Sequence, residues 1–164
     1  MTSRSRPAQV VALAGFVAVV AVAGALGSWA TYPSLRHWYE GLRKPSWTPP
    51  GWLFGPVWST LYLLMAASAW RVWRRDDAPA GRRKEALACW GFQLALNVGW
   101  SWLFFGLHRP TLAFVELVAL WLAILATIVA TARVDRPAAW MLAPYLAWVT
   151  FAGALNGTIA RLNP

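Results

Sequence analysis

Five apolar stretches, roughly residues 8–32, 52–70, 86–107, 111–132 and 138–159, alternate with segments holding every Lys, Arg, Asp and Glu except Glu116. Each stretch approaches the about 20 residues a helix needs to cross the hydrocarbon core of a bilayer. The apolar runs are continuous rather than alternating, so the pattern predicts helices and not barrel strands. The chain is therefore expected to be all-α: one membrane domain over residues 1–164, an integral bundle of five transmembrane helices. Short links should place consecutive helices antiparallel, with one long loop over 33–51. The first stretch also contains Ala21-Val22-Ala23 after Arg4 and Arg6, the look of a signal-peptidase site, but apolar character continues through Leu26 and Trp29, favouring a retained span.

Composition agrees with a membrane chain: 59% of the 164 residues are hydrophobic, 13% are charged, and mean hydropathy is +0.44. The net charge of +9 does not point to nucleic acid, because the cations lie between apolar blocks rather than along one face. Ten of them (Arg4, Arg6, Arg71 to Lys84, Arg133, Arg136) fall on one side and five (Arg36, Arg43, Lys44, Arg109, Arg161) on the other. The positive-inside rule then puts the N-terminus in the cytoplasm and the long loop outside. The loop over 71–85 reads as a solvated, charged turn beside the head groups of the bilayer. His37 and His108 read as loop histidines and Cys89 as a small buried side chain, and no Cys or His has metal-ligand spacing. Nucleotide and nucleophile-elbow motifs are absent from the sequence.

Polar residues inside apolar blocks carry more information, since hydrocarbon penalises them unless they find partners. Gln93, Asn97 and Ser101 recur every four residues and form one stripe, which must face other helices or a cavity. Glu116 is the acid inside a block, read as an interfacial or hydrogen-bonded neutral acid or as part of a proton or ligand pathway. Asn156 follows Pro144, which is expected to kink the fifth helix. Gly91, Ala95 and Gly99 form a small-residue stripe on another face of the third helix, suited to a homodimer or to internal packing.

Interface belts account for Trp70, Trp73, Trp90, Trp121 and Trp140. The stretch Trp38–Tyr62 is different, because Trp38, Trp47, Trp52 and Trp58 crowd around prolines whose backbone is stiff. Indole faces held this way suit a large planar apolar ligand, with Arg43 and Lys44 toward its carboxylates; structural packing accounts for the spacing equally well.

Several motifs resemble the TspO/MBR family, the tryptophan-rich sensory proteins related to the mitochondrial translocator protein and peripheral benzodiazepine receptor. They are Trp38-Tyr39, Lys44 through Trp52, Pro56-Val57-Trp58, Leu61-Tyr62, Gln93 through Asn97 with Trp100, Phe104-Phe105-Gly106, Pro144 through Trp148, and Ala152 through Asn156. The resemblance implies a five-helix bundle, often dimeric, that binds porphyrins (protoporphyrin IX or haem) and drug-like planar ligands. Carried over by motif position, the ligand-binding residues are Tyr39, Trp47, Pro49, Trp58, Asn97, Trp148, Ala152 and Leu155. It also implies a role in tetrapyrrole transport, sensing or regulation. Two alternatives stand beside it: light-dependent porphyrin degradation through Trp58 and Trp148, and a stress-response interaction protein whose ligand regulates a dimer. The sterol-recognition pattern of animal relatives is missing, since no aromatic lies within Leu155–Arg161.

Overall fold

The computed structural model describes residues 5–164; Arg4, one of the ten cations, lies outside the described residues. Every regular element among them is helical. Helix α1 (Arg6–Ser34) has Pro7 in its first turn, where no amide is needed, and passes through Pro33 before widening into a π turn over Leu35–Tyr39. The amide of Glu40 reaches back to Leu35 O at 3.2 Å, an i to i+5 bond that lets the coil continue past a proline. The long loop consequently shrinks from the expected 33–51 to 40–50.

A 3₁₀ turn (Gly51–Leu53) leads into α2 (Phe54–Trp73). Helix α3 (Ala80–Ser101) starts six residues before the apolar block, because Arg82, Arg83, Lys84 and Glu85 extend it into the polar region, and it ends in a π turn (Trp102–Gly106). Helix α4 spans Pro110–Ala132. The fifth block is divided into α5 (Arg136–Trp140) and α6 (Ala143–Leu162). The expected kink at Pro144 is thus a helix start: proline lies in the first turn of α6, where its missing N–H breaks no bond.

Four segments (Arg6–Tyr39, Gly51–Trp73, Pro110–Ala132 and Arg136–Leu162) are long and apolar enough to cross a membrane. Helix α3 completes the five-helix bundle; its polar stripe lowers its hydropathy, and that stripe is turned inward, with Gln93 and Asn97 buried. It packs on α4, α1 and α2, while α4 packs on α6 and α1 on α2. The helices therefore stand in the order α2, α1, α3, α4, α6, and the ring closes at the seam between α6 and α2. Trp90, expected at the interface, belongs to the core instead: its indole N–H donates to Met65 O at 3.1 Å and Phe16 meets it edge-on.

Ion pairs tie the cationic end. Buried Asp135 accepts from the amide of Ala138 at 2.8 Å, capping α5, and pairs with Arg71 at 3.1 Å and Arg75 at 3.3 Å. Arg75 also forks onto Asp77 and by those hydrogen bonds holds its carboxyl below the usual carboxylate range. Ser68 of α2 donates to Ala138 O at 2.9 Å, so α2 and α5 are fastened where the ring closes. Asp135→Ala removes a cap and two charge-assisted bonds together, and is expected to lower stability by about 2 kcal/mol in denaturant unfolding in detergent. Asp135→Asn, which keeps an acceptor for Ala138 N–H, should lose less; equal losses would show that the cap contributes nothing.

Candidate functional site

The seam between α2 and α6 is the one place in the ring where neighbouring backbones stay apart. A cleft of about 580 Å³ opens there, lined by Val57, Thr60 and Leu64 of α2 and by Pro144, Trp148 and Phe151 of α6. That size lies within the range of small-molecule sites, and the lining is almost wholly apolar.

Three levels of side chains surround the seam. At the end beside the loop over residues 40–50, which forms a lid, Trp47 meets Phe151 at 5.8 Å between ring centroids, and Phe151 meets Trp148 at 5.5 Å. Phe54, at the start of α2, meets Trp148 edge-on at 5.7 Å, so the two helices touch through rings rather than backbones. On the bundle side of α2, Trp58 packs on Tyr62 at 5.6 Å and on Tyr145 at 6.2 Å.

Behind these rings lies the polar centre. Tyr62 Oη donates to Asn97 Oδ1 at 2.8 Å, and Asn97 Nδ2 donates to Tyr145 Oη at 3.1 Å. One amide on α3 thereby holds a phenol from each side of the seam, using its acceptor for α2 and its donor for α6. One turn further on, Trp100 Nε1 donates to Asn156 Oδ1 at 3.0 Å, and Asn156 Nδ2 donates to Pro110 O at 2.8 Å. Asn156 is thus spent on joining α6 to the start of α4. Gln93 Oε1 and both carboxyl oxygens of Glu116 are enclosed with no hydrogen-bond partner among the described residues.

The lid is held at its edges. Lys44 Nζ donates to Tyr39 O at 2.5 Å and Glu40 O at 3.2 Å and lies 4.6 Å over the Tyr39 ring, so it closes the loop upon itself. Asn163 clasps Arg43 through both backbone groups, at 3.0 and 2.9 Å, while the Arg43 residue stays exposed. His108 is exposed but not simply solvated: it has φ 53°, stacks on Trp38 at 4.3 Å, and shares a hydrogen bond with Ser34 Oγ at 2.9 Å.

The residues named from the motifs divide into two groups. Trp58, Asn97, Trp148 and Ala152 gather around the seam with the core of α2, α3 and α6, and Trp47 joins them through Phe151. Tyr39 and Leu155 belong to a neighbouring aromatic cluster built on Phe104 and Phe105. Pro49 shapes the lid just before the turn into α2. Of the four loop tryptophans, Trp38 is committed to His108 and Phe104, and Trp52 is 73% exposed, away from the cleft. Four residues around the seam are not among those carried over as ligand-binding: Phe54 and Phe151, and also Tyr62 and Tyr145, although these two lie within the quoted motifs. Each lies three or four residues from Trp58 or Trp148, on the same helix face, and that spacing is the signal that could have found them. No three His, Cys, Asp or Glu side chains come together as a metal site among the described residues.

Comparison with known proteins agrees with this architecture. The sequence profile of the TspO/MBR family matches residues 16–162. The chain is 40% identical to the tryptophan-rich protein TspO of Chlorobaculum tepidum over 95% of its length and 98% of that protein. It is 48% identical to protein CrtK of Rhodobacter capsulatus, covering 77% of this chain and 79% of that one. It is 38% identical to the translocator protein of Homo sapiens, covering 91% and 88%. The chain belongs to the TspO/MBR family.

Asn97→Leu leaves two phenolic hydroxyls without their amide in an apolar interior, and is expected to cost about 2–4 kcal/mol. Adding Tyr62→Phe and Tyr145→Phe to Asn97→Leu should recover part of that stability, because no orphaned hydroxyl is left. Unfolding of the single and triple variants in detergent separates the outcomes; a triple variant weaker than the single would refute the bridge.

Proposed function

We propose that this membrane protein binds flat tetrapyrroles, protoporphyrin IX or haem, and similar planar drug-like ligands, and acts in their transport, sensing or regulation. The observation that carries the reading is the apolar cleft between α2 and α6, about 580 Å³ with Trp148 and Phe151 in its wall, where adjacent helices are held apart rather than packed. A planar ring system slides between apolar walls more readily than a branched ligand, and indole faces reward it through offset stacking. Trp148 lines the cleft and Trp58 lies beside it on α2. Ligand carboxylates turn toward Arg43 at the lid, since Lys44 is engaged with Tyr39 and Glu40. The names of the relatives, tryptophan-rich sensory protein and translocator protein, are in keeping with such a role. The cleft faces lipid, so an apolar ligand reaches it from within the bilayer.

In this reading the end holding Arg6, Arg71 to Lys84, Arg133 and Arg136 is cytoplasmic and the lid is external. A homodimer through Gly91, Ala95 and Gly99 is part of the same proposal. Gly91 and Ala95 are exposed on the outer face of α3, beside Phe92 at 61% exposure. A side chain at Gly99 would approach Glu116 Oε1 at 3.7 Å, whereas nothing lies within 4 Å of the same position at Gly91. Gly91→Leu is therefore the cleaner test: crosslinked dimer should fall sharply, and undiminished dimer would remove this interface.

Titration with protoporphyrin IX should quench tryptophan fluorescence saturably. Trp148→Phe should weaken binding about threefold to tenfold, the scale of one aromatic contact. Thr60→Trp, which fills the cleft, should abolish it. Unsaturable quenching, or unchanged affinity in both variants, would overturn the proposal.

A further inference from the structure

A second lateral opening lies between α3 and α4 at the cationic end of the bundle, well away from the seam. This groove, about 410 Å³, is walled by Leu122, Leu125 and Val129 of α4 and Cys89 of α3, with Glu85 and Arg133 at its mouth. Leu122, Leu125 and Val129 are 55%, 38% and 47% exposed, so the wall is apolar surface that the chain itself leaves uncovered.

The mouth differs from the other ion pairs at this end. Those close at 2.8–3.3 Å, while Arg133 Nη1 stands 3.6 Å from Glu85 Oε1, with the two side chains 56% and 52% exposed. That is beyond the about 2.7–2.9 Å of a charge-assisted hydrogen bond. Two opposite charges are thus held side by side, loosely closed, at the depth where helices leave the hydrocarbon.

We propose that this groove seats a phospholipid whose head group carries a primary ammonium, of the phosphatidylethanolamine type. The phosphate meets Arg133, the ammonium meets Glu85, and one acyl chain lies along Leu122, Leu125 and Val129. Charge complementarity selects this occupant. A zwitterion with N–H donors satisfies both members of the pair, a choline head group offers Glu85 no donor, and an anionic head group without an ammonium brings its charge against Glu85. The site is independent of the α2–α6 cleft and of what binds there.

Native mass spectrometry of the full chain tests this, after exchange into micelles holding equimolar phosphatidylethanolamine and phosphatidylcholine with identical acyl chains. The ethanolamine lipid should be retained about threefold over the choline lipid, the scale of one exposed ion pair. Stepwise N-methylation of the head group should reduce that preference progressively. Glu85→Gln should abolish the preference and raise retention of phosphatidylglycerol relative to phosphatidylethanolamine, while Arg133→Gln lowers retention of both. Ala126→Phe, which fills the groove but leaves its mouth intact, should lower retention of every lipid. Equal retention of the two lipids by the unaltered protein, or an ethanolamine preference that survives Glu85→Gln, would overturn the proposal.

Discussion

A single amide inside the membrane decides the shape of this bundle. Asn97 accepts from Tyr62 and donates to Tyr145, and in doing so fixes the spacing of two helices that do not otherwise pack backbone to backbone. In water such bonds would exchange with solvent at little net gain. In hydrocarbon an unpaired amide or phenol has no alternative partner, so the three groups hold one another at a defined separation. That separation leaves the two backbones apart, and Trp148 and Phe151 line the space between them without filling it. The cleft follows from the bridge.

Both ends of the seam are fastened by other means. At the cationic end Ser68 reaches the backbone of α5, and Asp135 gathers Arg71 of α2 and Arg75 just past it to the same short helix. At the lid end Asn163, just past α6, clasps Arg43, and Trp47 leans on Phe151. An opening bounded by polar contacts at both ends and bridged in the middle is held open by the chain's own contacts. Preorganisation of this kind spares a ligand the free energy of parting packed helices.

Much of this was legible in the chain. Charge alternation marked five helices, and the four-residue repeat of Gln93, Asn97 and Ser101 placed a polar stripe that does face inward. Helix ends were less legible, because the hydropathy pattern reports where hydrocarbon stops rather than where hydrogen bonding stops. Helix α3 runs on through Arg82 to Glu85, and α1 runs through Pro33 by changing to a π turn. The tryptophans were harder still. Trp90 finds Met65 O and belongs to the core, while Trp52 is exposed and does not line the cleft, and neither outcome follows from distance to a proline along the chain. Partners such as Tyr62 and Tyr145 lie 83 positions apart in the sequence and meet only through a third helix.

The location of the cleft follows from chain connectivity as much as from aromatic content. The packed order α2, α1, α3, α4, α6 departs from chain order, because α1 stands between α2 and α3 although a short link joins those two. Its two ends, α2 and α6, are joined by no direct link. Closing the row into a ring requires contacts between residues far apart in sequence: α2 packs on α5 at the cationic end, while α2 and α6 meet through rings and one amide bridge. The seam is therefore the place where an opening sacrifices least helix packing. Exchanging Trp148 for a small residue would leave the Asn97 bridge in place, so the helices would keep their spacing and the opening would widen rather than close.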